Sequence, residues 1–404
     1  MKVKNCVVSF LAVVLIFYMG GCENPFSPNK ESATKDFHNS NERPKNIDKT
    51  PMEKKDPSIN KEESEKEKAA LAQKNEEMLQ QKIREYLNTN SLSGTIAVVR
   101  GKHILFNEGT GYANIEKKSL NTASTTYPIG SITKIFVSTS IMMLQERQLL
   151  NIQDPVSKYI PNFPNGDKIK LYHLLTHTSG IRSPNWQKSD KTPLNLIQEI
   201  EKAPIKFQPG EKWDYLDANY MILGYIVEKT SGTSLHQFIQ ENIFNKIPLK
   251  ETGFVTHENS VPYSSMGYMK KDDIERPTNS LNAYTLFGCG DIYTTAYDMA
   301  HFDQALLNGE LISKNSLLEM TTPSGTHAKY ALGIYNDFDK NYYFSIGVLG
   351  GWYSMHAYYK DKEHTQIVIL MNSRTKTTEI GNIMKDIYQM VMASPLSSEV
   401  DGAI

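Results

Sequence analysis

Hydrophobic positions are spread very unevenly over the 404 residues. One apolar run, Cys6 to Met19, follows the basic start Met1-Lys-Val-Lys-Asn5 and precedes Gly20-Gly21-Cys22. From Glu23 to about Lys68, large apolar side chains nearly vanish among Lys, Glu, Asn, Ser and Pro. Such a stretch cannot bury enough surface to offset the entropy of ordering, so 23–68 reads as a disordered charged tether. Helical composition begins at about Ser64. Leu79, Ile83, Tyr86 and Leu87 then form one apolar stripe, predicting a helix that opens a folded domain over 69–395.

Two β-rich runs come next, Gly94–Arg100 and His103–Phe106, joined by the hairpin signal Gly101-Lys102. From Ser131 to roughly Asn308 the pattern is mainly helical, with loops marked by Pro and Gly. Strand-like runs return at Tyr330–Tyr335, Tyr342–Gly347, Ser354–Tyr359 and Gln366–Met371. A last amphipathic helix spans about Glu379 to Val391, with Ile380, Ile383, Ile387 and Met390 at helical intervals. Early strands, central helices and late strands imply an α/β architecture. The chain ends meet in one antiparallel sheet flanked by helices, with a helical insertion lobe beside it. No internal repeat is visible.

The stretch with the clearest chemistry is Tyr127-Pro-Ile-Gly-Ser-Ile-Thr-Lys134, followed by the apolar run Ile135–Leu144. Gly130 permits a sharp turn into a helix, and a three-residue step then carries Ser131 to Lys134 on one face. That pair is a nucleophile beside its base. A serine hydroxyl needs a neighbour to take its proton, and lysine can do so only if burial or nearby positive charge lowers its pKa. A tetrapeptide of this kind is common by chance; its company makes it specific. Downstream stand Lys170-Leu-Tyr-His-Leu-Leu-Thr-His-Thr-Ser-Gly180, Phe207–Tyr220 and Gly288-Cys-Gly-Asp-Ile-Tyr-Thr-Thr-Ala-Tyr-Asp298. In this order and spacing, from about Gly94 to Asn372, the chain resembles the serine β-lactamase and penicillin-binding-protein family, near its class C β-lactamase and esterase branch.

The resemblance implies a β-lactamase/transpeptidase-like fold with the active site between sheet and helical lobe. It assigns Ser131 as the acylated nucleophile, Lys134 as general base and Tyr215 as proton relay. It also carries two departures. The family's Tyr-x-Asn appears here as Tyr215-Leu216-Asp217, as in the teichoic-acid D-alanyl esterase branch. Asp217 is read either as a helix cap or as a carboxylate favouring a cationic substrate. The third motif, Lys-Thr-Gly or His-x-Gly, is replaced by Ser345-Ile346-Gly347 ahead of Gly351-Trp-Tyr-Ser354. Ser345 offers a hydroxyl bond without charge. Gly347 is expected to let substrate backbone approach, and the Val348 amide to join that of Ser131 in an oxyanion hole.

A carboxylate gained and a cation lost favour a substrate with a free amine and no free carboxylate. The expected function is therefore a serine hydrolase that removes D-alanine from teichoic acid through an acyl-enzyme. Two alternatives are a penicillin-binding D-alanyl-D-alanine carboxypeptidase or β-lactamase, and a non-catalytic wall-binding or sensing lipoprotein.

Lys plus Arg is 44 and Asp plus Glu 45, a net charge of −1 that gives no electrostatic reason for a nucleic-acid partner. Residues 1–22 read as a secretory signal, and Cys22 after small residues resembles the lipobox of bacterial lipoproteins. Export, a lipid anchor at the extracytoplasmic membrane face and a cell-wall polymer as partner follow as expectations. Cys289 is left alone in the mature body, so no disulfide framework exists, and it reads as a small buried side chain. His173 and His177 are four apart, but Leu174 and Leu175 fill the positions where a zinc protease carries glutamate, so no metal is expected. Gly109-Thr-Gly111 lacks a third glycine and a strand-helix setting, so no nucleotide cofactor is expected either.

Overall fold

Gly101, at φ 55°, closes the tight hairpin between strands β1 (Gly94–Arg100) and β2 (His103–Thr110). The late strands are β3 (Tyr335–Asp337), β4 (Tyr342–Leu349), β5 (Trp352–Tyr359) and β6 (Thr365–Met371). Together they form a six-stranded sheet in the order β3-β4-β5-β6-β1-β2, every pairing antiparallel. β1 lies against β6 from Gly94↔Met371 to Arg100↔Thr365, which is how the two ends of the domain close on each other. The computed structural model describes residues 57–396, apart from 184–191, 258–260, 272–273, 279–280, 324–325 and 374–378. The apolar run, Cys22 and most of the expected tether lie outside the described residues.

Both faces of the sheet are covered, so β1 and β6 read as continuous apolar runs and not as alternating ones. On one face Ile96, Val98, Ile367 and Ile369 pack with Leu79, Ile83 and Leu87 of helix α1 (Pro57–Thr89) and, from the C-terminal helix Ile380–Ala393, with Ile383 and Ile387. On the other, Ala97, Val99, Val368 and Leu370 join the core of the helical lobe. At the centre of that core sits helix α2 (Thr133–Glu146), buried from Thr133 to Leu144, its Phe136 stacked 4.0 Å from Phe302 of helix Ala296–Leu307. A helix buried on every side has to satisfy its polar side chains internally, as Thr139 and Ser140 do by donating to the Ile135 and Phe136 carbonyls.

Two boundaries differ from the sequence reading. The first helix begins at Pro57, inside the segment expected as tether, because Glu, Lys and Ala continue helical propensity beyond the point where the apolar stripe ends. The run Tyr330–Tyr335 is not a strand. Gly333, at φ 81°, turns it beneath α2, where a Cβ would overlap Ser138 Oγ, and only an isolated Tyr330↔Tyr335 bridge remains before β3. Its side chains are buried in a turn, so apolar composition alone does not distinguish it from a strand.

Candidate active site

Gly130 adopts φ 54°, the left-handed region that glycine enters without penalty, and starts a 3-10 turn, Gly130–Ile132, that runs into α2. A Cβ there would stand 3.1 Å from the Val348 amide nitrogen and 3.1 Å from Leu349 Cγ, so the turn lies directly against β4. Ser131 is thereby held at the sheet edge, partly exposed, while Lys134 is 1 % exposed.

All three protons of a Lys134 ammonium have acceptors. Nζ donates to Ser131 Oγ at 2.9 Å, to Asp217 Oδ1 at 2.7 Å and to the Cys289 carbonyl at 3.0 Å. The Tyr215 ring lies beside this pair, with Lys134 Nζ 5.0 Å from its centroid, close enough for Lys134 and Ser131 both to pull the phenol's pKa down. Four residues from three distant segments thus converge on one amine.

The electrostatics correct the simplest use of this lysine. Complete burial is the largest single influence and pulls its pKa down, but the surrounding groups, the Asp217 carboxylate foremost, together hold it above the ordinary lysine value. In the free protein Lys134 is an ammonium ion and not a ready base. Burial raises the Tyr215 phenol as well, against the lowering pull of Lys134, so Tyr215 is protonated at neutral pH.

Asp217 is not the helix N-cap; that place belongs to Leu216, and Asp217 is the first residue of helix α3 (Asp217–Ser231). Its carboxylate does not stand apart to await a cation. It pairs with Lys134 while its side chain stays 49 % exposed at the mouth of the site.

The Cys289 carbonyl is delivered by Gly288, at φ 67°, and the loop is tied from outside by Asp291, whose Oδ2 accepts from the Gly288 amide at 3.2 Å and contacts His236 Nε2 at 2.8 Å. The thiol of Cys289 is buried, and burial raises its pKa. What this residue contributes to the centre is its carbonyl, a role invisible in its side-chain type.

The third motif faces inward. Ser345 is 4 % exposed, and its Oγ has no hydrogen-bond partner among the described residues. It stands across from His356, which is buried on β5 with Nδ1 2.8 Å from Asp303 Oδ2. Gly347 does not open the strand to substrate, as its glycine was expected to do. A Cβ there would overlap the Ile129 carbonyl oxygen, which also accepts from Ser354 Oγ at 2.8 Å. The close approach is made by the chain's own backbone just ahead of Ser131. Val348 is 55 % exposed, with its amide beside the Gly130 turn.

A Gly347→Ala substitution would therefore force β4 and the Ile129–Ser131 turn apart. The expected loss is about 1–3 kcal/mol in denaturant melts, typical of overpacking, with a loss of at least about tenfold in acylation rate. Wild-type values for both would show that the contact yields without consequence.

His173 and His177 have separate partners. His173 Nδ1 accepts from the Lys170 amide at 3.1 Å, and both ring nitrogens of His177 are engaged by protein groups.

The family model described as Beta-lactamase matches residues 79–384. A Bacillus subtilis (strain 168) protein carrying the penicillin-binding protein designation PbpX is 37 % identical over 329 residues, 80 % of this chain and 83 % of that protein. The teichoic acid D-alanine hydrolase of Staphylococcus aureus is 28 % identical over 316 residues, 76 % of this chain and 77 % of its own. Among solved structures, the penicillin binding protein from Bacillus halodurans superposes with a TM-score of 0.67 at 25 % identity, covering 76 % of this chain and 98 % of that one.

Proposed function

The chain belongs to the Beta-lactamase family and is a serine hydrolase, and from that premise we propose that it is an esterase releasing D-alanine from teichoic acid. One observation carries the choice of substrate. At the position of the family's Lys-Thr-Gly or His-x-Gly motif there is the uncharged, buried Ser345, while the half-exposed Asp217 carboxylate sits at the mouth. A free substrate carboxylate finds no counter-charge at the third motif, and a substrate ammonium meets only the solvent-facing side of an Asp217 carboxylate already paired with Lys134. A D-alanyl ester of a polyol has an amine and no free carboxylate. The hydrolase relative supports the same reading by its named activity.

The proposed chemistry uses the Lys134–Asp217 pair as one base. Lys134 passes a proton to Asp217 and, as a free amine, takes the proton of Ser131 while Oγ attacks the ester carbonyl. The Ser131 and Val348 amides receive the developing oxyanion. Tyr215 donates its proton to the departing polyol oxygen and is reprotonated from Lys134, and the D-alanyl group is left on Ser131. Water then attacks that ester with the same groups reversed, releasing D-alanine and restoring the serine.

Export and anchoring through Cys22, with 23–68 as a spacer to the wall, belong to this reading because the substrate lies outside the membrane. The test is incubation of the membrane-purified protein with D-alanylated teichoic acid, with intact-mass measurement. The expected result is free D-alanine, a transient mass gain of one D-alanyl group, and a chain beginning at a lipid-modified Cys22. Release of D-alanine from a pentapeptide, with none from teichoic acid, would instead favour the carboxypeptidase. That reading has the PbpX similarity in its support.

A further inference from the structure

Tyr215 and Asp217 flank Leu216, and the segment that carries all three is gripped by one residue outside it. His177 is completely buried, and its backbone sits at φ 57°, a left-handed conformation uncommon for a residue with a Cβ. Its carbonyl accepts from the Asp214 amide at 2.9 Å. Its Nδ1 lies 3.1 Å from the Leu216 amide, which donates to it, and 3.0 Å from Asn219 Nδ2. Its ring lies against that of Tyr215, centroids 4.2 Å apart at 35°.

The hydrogen bonds fix the proton on the ring. Asn219 Oδ1 accepts from Ser179 Oγ at 2.6 Å, which turns the Asn219 amide nitrogen toward His177 as a donor. Nδ1 therefore faces two donors and must be the acceptor. The single proton sits on Nε2 and is donated to Tyr330 Oη at 3.0 Å. Burial, reinforced by the nearby Lys134 charge, holds the imidazole well below its usual pKa, in keeping with a ring that needs Nδ1 unprotonated.

We propose that His177 is a positioning residue for acyl transfer, its Nε2-protonated tautomer clamping 214–219 so that the Tyr215 phenol meets Ser131 and the Asp217 carboxylate meets Lys134. It touches neither substrate nor nucleophile and acts through Leu216 and the Tyr215 ring. This inference rests on the serine mechanism proposed above, not on the identity of the ester. A small displacement of catalytic groups can cost about 10²-fold in rate, so the clamp is expected to appear in turnover and not in binding.

Wild type, His177→Asn and Tyr330→Phe are compared with a chromogenic ester and by fluorophosphonate labelling of Ser131, each rate normalised to the folded fraction. Asparagine tolerates the left-handed backbone and removes the ring. His177→Asn is expected to lower kcat about 10²-fold with KM within about twofold of wild type. A wild-type kcat in folded His177→Asn protein overturns the proposal. If that variant fails to fold, Tyr330→Phe decides. It removes only the acceptor of the Nε2 proton, and an unchanged kcat overturns the proposal, where a fall of about tenfold at constant KM supports it. A wild type inert to both reagents would instead remove the serine mechanism, which the first arm detects before any variant is considered.

Discussion

A Ser131→Ala protein is expected to form no acyl-enzyme and to lose at least about 10³-fold in turnover, since the remaining groups of such a centre act as a unit with the nucleophile. Its fold should survive. Ser131 is partly exposed, and Lys134 keeps two of its three acceptors, Asp217 Oδ1 and the Cys289 carbonyl, when Oγ is removed. Fluorophosphonate labelling, release of D-alanine and a thermal melt on the same preparation read all of this. A variant that melts like wild type and still turns over would remove Ser131 from the reaction and with it the acyl-enzyme.

Asp217→Asn is the more discriminating change, because Asp217 is where this chain departs from the family's asparagine. With a carboxylate, Lys134 stays charged despite complete burial; without it, burial is the dominant influence and lowers the lysine. The pair acting as base predicts a fall of about 10²–10⁴-fold in kcat/KM at pH 7. The residual activity should rise with pH along a limb displaced to lower pH than any lysine-controlled limb of the wild type.

Stability should follow the sign of the same shift. The folded-state pKa of Lys134 is raised, so its contribution is fully present below the ordinary lysine value of about 10.4 and is lost only as pH climbs through the folded value. In Asp217→Asn the lysine is lowered, so the folded variant sheds that proton before the unfolded chain does, and its stability deficit against wild type should shrink as pH rises from the lowered folded value toward about 10.4. Asp217→Asn protein with wild-type kcat/KM would show that Lys134 finds its free-amine form without this carboxylate.

Much of the fold is legible in the sequence for identifiable reasons. The hairpin at Gly101, the late strands and both terminal helices follow from local periodicity and a turn residue, signals that need no distant partner. The Tyr330–Tyr335 run misleads because burial makes a turn as apolar as a strand. In the site, Ser131 and Lys134 are legible because they lie one helical turn apart. His177 carried a readable trace of another kind, a histidine two residues ahead of Ser-Gly at a helix end, but its work depends on a partner segment more than thirty residues away.

Local pattern is enough to read most of the elements, the Ser131–Lys134 spacing, and the exchange of a cation for Ser345 and of an amide for Asp217. What those side chains do depends on how the chain folds around them. It spends Asp217 on Lys134, turns Gly347 against the Ile129 carbonyl and supplies a third acceptor from the backbone of Cys289. The physical reason is that protonation depends on what surrounds a charge within a few ångströms. That surrounding is assembled here from segments around 131, 215 and 289, whose proximity no local pattern encodes.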